Sequence, residues 1–132
     1  MSFHLLLINW LNNSFVSNIY VGKDGKLHKV QGGADSVLPF SNFKRYFSDS
    51  ITLETTSKFF KLGFKPKFIA VNTTWFYDEE LNKCWYLNGL NYSVPVGTWT
   101  ANNLFKFDRI VDNGFYATAY SRDTSANIIA FG

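Results

Sequence analysis

From residue 51 to residue 132, short runs alternate between hydrophobic and polar positions, with turn-forming residues between the runs. A period of two, rich in aromatic and β-branched residues, is the mark of β-strands. The densest part is residues 58–77, KFFKLGFKPKFIAVNTTWFY, and the rest of the chain is organised around it. Phe60, Leu62 and Phe64 fall on one side of an extended chain. Ile69, Val71, Trp75 and Tyr77 do the same further on, with Thr73 among them. Between the two sets, Gly63–Phe64–Lys65–Pro66 forms a corner. Pro66 has no N–H, fixes its own φ and pushes Lys65 away from helix geometry. The stretch predicts two strands hinged at a glycine-proline bend, at the centre of a β-sandwich.

Upstream, Phe15, Ile19 and Val21 alternate, Lys23–Asp24–Gly25–Lys26 is a tight turn, and Leu27 to Val30 returns as a hairpin. Gln31–Gly32–Gly33 breaks the pattern, and Val37 to Phe40 is a short extended segment. Residues 41–50 fit a loop or one helical turn and hold a soft boundary. On that reading, residues 1–42 are an N-terminal segment and hairpin for attachment or subunit contact, and residues 43–132 are the sandwich. The opening FHLLLINWL fits a short helix or a strand, and is apolar enough to dock on its own fold or on a partner. It is too short to span a bilayer, and it lacks a basic leader and a small-residue cleavage site.

Downstream, residues 78–83 form a polar connection, Cys84 to Leu87 a strand, Asn88–Gly89 a hairpin turn and Leu90 to Val94 the returning strand. Residues 96–100 read as a further short strand and residues 104–111 as a longer one. Asp112–Asn113–Gly114 turns into an alternating run to Tyr120, Ser121 to Ser125 is a polar loop, and Asn127 to Phe131 closes the chain. The expected fold is all-β: an antiparallel β-sandwich, jelly-roll-like, preceded by a small N-terminal β-hairpin module.

Composition sharpens this picture. A chain of 132 residues is one domain's worth and buries a core without disulfides or metal. Aromatic residues make up 19% and charged residues only 17%. Either the core is unusually aromatic or part of this set faces a second subunit, so a homo-oligomer is expected. Net charge is +3, with Lys58, Lys61, Lys65 and Lys67 gathered at the corner. We read these lysines as edge protection. No arginine-rich run or RNA-binding motif accompanies them, so no nucleic-acid partner is expected. Cys84 is the single cysteine and reads as a small buried hydrophobe. His4 and His28 lack the ligand spacing a metal needs, and no cofactor is implied.

The residues do not form a catalytic constellation. Asp78, Glu79 and Glu80 are adjacent acids in a turn, without the separation across a cleft that glycoside cleavage requires, and they read as a solvated turn. The serines sit in no nucleophile elbow, and the glycines at positions 22, 25, 32 and 33 form turns rather than a phosphate loop. An enzyme is not expected. One binding reading remains: aromatic rings stack on sugar rings while nearby polar groups hold the hydroxyls. Trp75, Tyr77, Asp78 and Trp99 are the candidate carbohydrate-binding residues, with Trp85, Tyr86, Tyr92, Asn72 and Asn91 as neighbours. The competing reading places the tryptophans in a core or subunit interface, where aromatics more often pack.

Two parts of the chain carry a family resemblance. IYVGKDGKLHKV followed by GGADSVLPF resembles the N-terminal module of small tail-associated proteins from phages and prophages of Gram-positive bacteria. ITLETTSKFFKLGFKPKFIAV, continuing to DNGFYATAY and ending in NIIAFG, resembles the C-terminal β-sandwich of phage tail fibre and baseplate proteins. The features are the Gly63 to Val71 corner and strand, the Asn113 to Tyr120 turn and strand, and the closing Ile128 to Gly132. The resemblance implies a virion structural protein, multimeric and often trimeric, assembled with other virion proteins in the bacterial cytoplasm. A carbohydrate-binding receptor module at a fibre tip, with host cell-surface polysaccharide as partner, and a capsid decoration or head-fibre protein are the alternatives. The opening FHLLLINWLNN is more apolar than such a free module requires, which suits a subunit-contacting or anchoring segment.

Overall fold

The chain forms antiparallel β-sheets that face one another across aromatic cores, as its alternation predicts. The computed structural model describes residues 3–11, 16–39, 43–86, 89–100 and 103–132. The elements are α1 (Phe3–Leu11), β1 (Asn18–Val21), β2 (Leu27–Gln31), β3 (Ala34–Val37), β4 (Tyr46–Leu53), β5 (Lys58–Lys61), β6 (Phe68–Val71), β7 (Trp75–Asp78), β8 (Lys83–Tyr86), β9 (Gly89–Pro95), β10 (Phe105–Val111), β11 (Gly114–Ala119) and β12 (Thr124–Phe131). A central six-stranded sheet runs β4-β12-β6-β7-β8-β9. A three-stranded sheet, β10-β11-β5, shares one core cluster with it, and a second, β1-β2-β3, shares another.

The central strands β6 and β7 are buried along their whole length, on both faces. Ile69, Val71, Trp75 and Tyr77 face Phe105, Phe107 and Phe115 of the β10-β11-β5 sheet. Phe68, Ala70, Phe76 and Trp85 face the other way, toward Leu7 and Leu11 of α1 and Ile19 and Leu27 of the N-terminal sheet. Two apolar faces on one sheet need two sets of large side chains. Phe76 stacks on Trp85 at 4.8 Å on one side, and Trp75 lies 4.9 Å from Tyr86 on the other. The aromatic richness is thus largely accommodated inside a single subunit.

The apolar N-terminal run is a helix that docks on its own fold. Leu7 and Leu11, four residues apart on one helix face, are fully buried in the second core. Lys29 of β2 donates its ammonium to the Trp10 carbonyl in the last turn, where a helix has unsatisfied carbonyls and a negative dipole end. It also lies 5.0 Å from the Trp10 ring centre, and desolvation there lowers its pKa.

The Gly63–Pro66 corner carries the chain from one layer to another. β5 belongs to the three-stranded sheet and β6 to the central one. Gly63 has φ of 84°, open to glycine and strained for other residues. The N–H groups of Leu62 and Gly63 both donate to the Asn113 carbonyl, at 2.8 and 3.0 Å. Lys67 N–H donates to the Phe131 carbonyl at 2.7 Å. The four lysines of the corner are exposed, and Lys58 and Lys61 lie on β5 at a sheet edge, where charge discourages pairing with another chain.

Three local expectations are corrected. Residues 58–77 make three strands, because Asn72 and Thr73 turn the chain in left-handed conformations (φ 52° and 57°). Residues 46–50 are the start of β4 rather than a loop or helical turn, paired with β12 from Tyr46 to Leu53. Residues 96–100 form a turn rather than a strand, with Gly97 at φ 94°.

Candidate functional site

Trp75 and Tyr77 are each 2% exposed and sit inside the sandwich core. Their place follows from register: Val71 pairs with Trp75 and Ile69 with Tyr77, so all four share the inward face. Neither offers a ring face to a ligand. Burial, with Glu79 and Asp78 nearby, pushes the Tyr77 phenol up to about 12. Asp78 is fully buried, which corrects the reading of a solvated acidic turn; only Glu79 and Glu80 are exposed. Its carboxylate accepts the Trp85 indole N–H at 3.1 Å and the Leu81 N–H at 2.9 Å, so it closes the β7–β8 turn and satisfies a buried tryptophan. The side chains of Asn91 and Tyr92 lie outside the described residues.

Trp99 alone of the four candidates reaches the surface. It lies in the loop before β10, with its ring 5.1 Å from that of Tyr120 in an edge-on arrangement and the Lys106 ammonium 4.6 Å above it. Tyr120 follows β11 and is half exposed. It lines a surface cleft of about 810 Å³ together with Asn103, Leu104 and the loop from Ser121 to Ser125.

A polar cluster in the N-terminal sheet was not anticipated. His28 and Tyr20 are direct cross-strand partners, and their rings stack at 5.0 Å. The His28 Nδ1 lies 2.9 Å from Asp35 and its Nε2 3.0 Å from Asp24, while the Tyr20 hydroxyl donates to Asp35. These bonds to Asp35 and Asp24 raise the His28 pKa above its ordinary value. Asp24 is lowered chiefly by His28, and Asp35 by Tyr20 and then His28. Each ring nitrogen faces a carboxylate, an arrangement that favours the protonated imidazole. The readable signal was Asp24 and His28, placed across a tight turn from one another. A side chain at Gly22 would overlap the imidazole, so this glycine makes room for the ring.

A second polar feature is a groove of about 410 Å³ between the N-terminal and central sheets, lined by Asn18, Tyr20, Ser48, Ser50, Asn72 and Asn127 among others. Three of these residues are linked to one another. Ser50 donates to the Asn127 side chain at 2.6 Å, and the Asn127 N–H donates to the Asn72 side chain at 2.8 Å.

No protein-family model, curated protein or solved structure gives a significant match to this chain. Among the described residues, no helix is long and apolar enough to cross a membrane.

Proposed function

We propose that this chain is a non-enzymatic structural component of a phage virion, in the tail, baseplate or fibre apparatus, that works by self-association and docking. The observation that supports this most is the convergence of the three stretches behind the family resemblance. They are far apart in sequence and directly bonded in space. The corner donates to Asn113, β5 pairs with β11, and β6 pairs with β12 from Phe68↔Phe131 to Val71↔Ile128. The glycines of the three stretches each meet a local requirement of this junction. Gly63 needs its positive φ, a side chain at Gly114 would overlap the Phe60 carbonyl, and one at Gly132 would overlap Phe64. The stretches therefore form a single joint between layers, which is the kind of unit a fold family keeps together.

β4 is the surface this reading assigns to subunit contact. It is an edge of the central sheet, eight residues long, without Lys, Pro or a register shift. The edge strands β9 and β10 both carry register shifts, and β5 carries lysines at both ends. Strands of the unguarded kind are templates for pairing. The reading is tested by mass spectrometry of gradient-purified particles, together with light scattering on the purified chain. It expects the chain in the particle fraction and a solution mass near three times 15.1 kDa. A monomer at micromolar concentration that is absent from particles refutes it.

A further inference from the structure

We infer that the cleft lined by Asn103, Leu104, Tyr120 and the Ser121 to Ser125 loop is a saccharide-binding site, with Tyr120 as its stacking platform. This goes beyond an assembly role and does not depend on it. Three observations point the same way. Tyr120 is 51% exposed and Leu104 46%, and they are held side by side by the Tyr120 N–H donating to the Leu104 carbonyl at 3.0 Å. Large apolar groups in such a position lose little by leaving water and gain by covering a ligand's apolar face. The Tyr120 ring is braced by the edge-on contact with Trp99, which Lys106 covers in turn, so little ordering is required when a ligand binds.

The third observation concerns hydrogen bonding. The side chains of Asn103, Ser121, Arg122, Asp123 and Ser125 make no hydrogen bond or ion pair with described residues. An amide, a guanidinium, a carboxylate and two hydroxyls thus stand exposed around an exposed ring, where a ligand can reach them. A ligand with one apolar face and a rim of hydroxyls matches this arrangement: the pyranose face lies on Tyr120, Asp123 accepts from hydroxyls, and Arg122 and Asn103 donate to them. The volume of about 810 Å³ lies within the ~300–1,000 Å³ range of ligand sites and has room for more than one ring.

The test is a microarray of hexose and N-acetylhexosamine oligosaccharides, followed by calorimetric titration of any saccharide bound. Tyr120→Ala and Asp123→Ala are each expected to weaken binding by about tenfold or more, the loss of one stacked ring or one charged hydrogen bond. Leu81→Ala removes an exposed apolar side chain from the β7–β8 turn, away from both the cleft and β4, and is expected to leave binding unchanged. Thermal melts of each variant establish that it folds. The inference is overturned if no arrayed saccharide binds at millimolar concentration. It is equally overturned if binding survives both cleft substitutions or falls with Leu81→Ala.

Discussion

Replacing Gly114 with alanine is expected to damage this fold more than any surface substitution should. Gly114 opens β11 and pairs with Lys61 of β5. The added methyl group would overlap the Phe60 carbonyl oxygen and lie 3.1 Å from both the Phe60 carbonyl carbon and Phe59 Cε1. A flexible side chain could swing aside, but a backbone carbonyl within a ladder cannot, so β5 has to shift as a unit. That shift weakens the Gly114↔Lys61 and Phe115↔Phe60 pairings and pulls Phe60 off Phe115, whose ring centres are 5.3 Å apart. One or two hydrogen bonds at about 1 kcal/mol each, added to overpacking strain of about 1–3 kcal/mol, give a loss of roughly 2–5 kcal/mol. At roughly 3–4 °C per kcal/mol for a chain of this size, Tm falls by roughly 6–20 °C. The control is Gly32→Ala, where φ is 58° and no heavy atom lies within 4 Å of the added carbon. It should cost only the left-handed strain, about 1–2 kcal/mol. Urea unfolding followed by circular dichroism measures both. If Gly114→Ala loses no more than Gly32→Ala, close packing at the joint is not what requires a glycine there.

Three further outcomes are expected. Thr73→Gly should stabilise the protein by about 1 kcal/mol, because a β-branched residue at φ 57° gives way to the residue that the Asn72 turn prefers; a loss in chemical denaturation would show that the threonine side chain makes a compensating contact. Cys84 is 3% exposed and burial pushes its thiol up to about 12, so Ellman's reagent should label it only when the protein is unfolded by urea; rapid labelling of the native chain would contradict its burial. The His28 cluster should make stability depend on pH. Its raised pKa means its contribution is complete below about pH 6.5 and is lost as pH rises through the folded value, while the lowered Asp24 and Asp35 lose theirs only as pH falls below about 4. The Tm difference between the native chain and His28→Gln should therefore be larger at pH 5.5 than at pH 8.5, and an equal difference at both would rule out a charged imidazole.

The strands were legible wherever one face is buried and the turn chemistry is strong. The Asp24–Gly25 hairpin and the turn before Phe115 follow directly from residue type. The first half of β4 was hidden because Asp49 breaks an alternation otherwise carried by Phe47, Ile51 and Leu53, so that only the end of the strand, from Ile51, was legible. The β6–β7 hairpin was hidden for a geometric reason. Three residues separate Val71 from its partner Trp75, so the odd-numbered phase passes unbroken through the turn and reads as one long strand. A period of two also cannot show that both faces of β6 and β7 are covered, since the covering residues of α1 lie sixty positions away in the chain.

The same phase decides which aromatic rings can meet a ligand. Trp75 and Tyr77 share the parity of Ile69 and Val71 across a hairpin, so whatever buries the aliphatic pair buries the aromatic pair with it. Phe76 and Trp85 hold the opposite parity, and the second layer buries them. No parity within β7 or β8 was free for a surface ring. Trp99 and Tyr120 escape because they belong to no strand: one precedes β10 and the other follows β11, where alternation stops constraining the side chain. β10 and β11 pair Phe105 with Ala119, so the residues flanking that pair are brought to the same end of the sheet, and the two rings meet edge to edge. In a chain with two buried faces on its central sheet, aromatic residues at the ends of paired strands are therefore the ones to examine for binding, ahead of those that alternate most regularly within them.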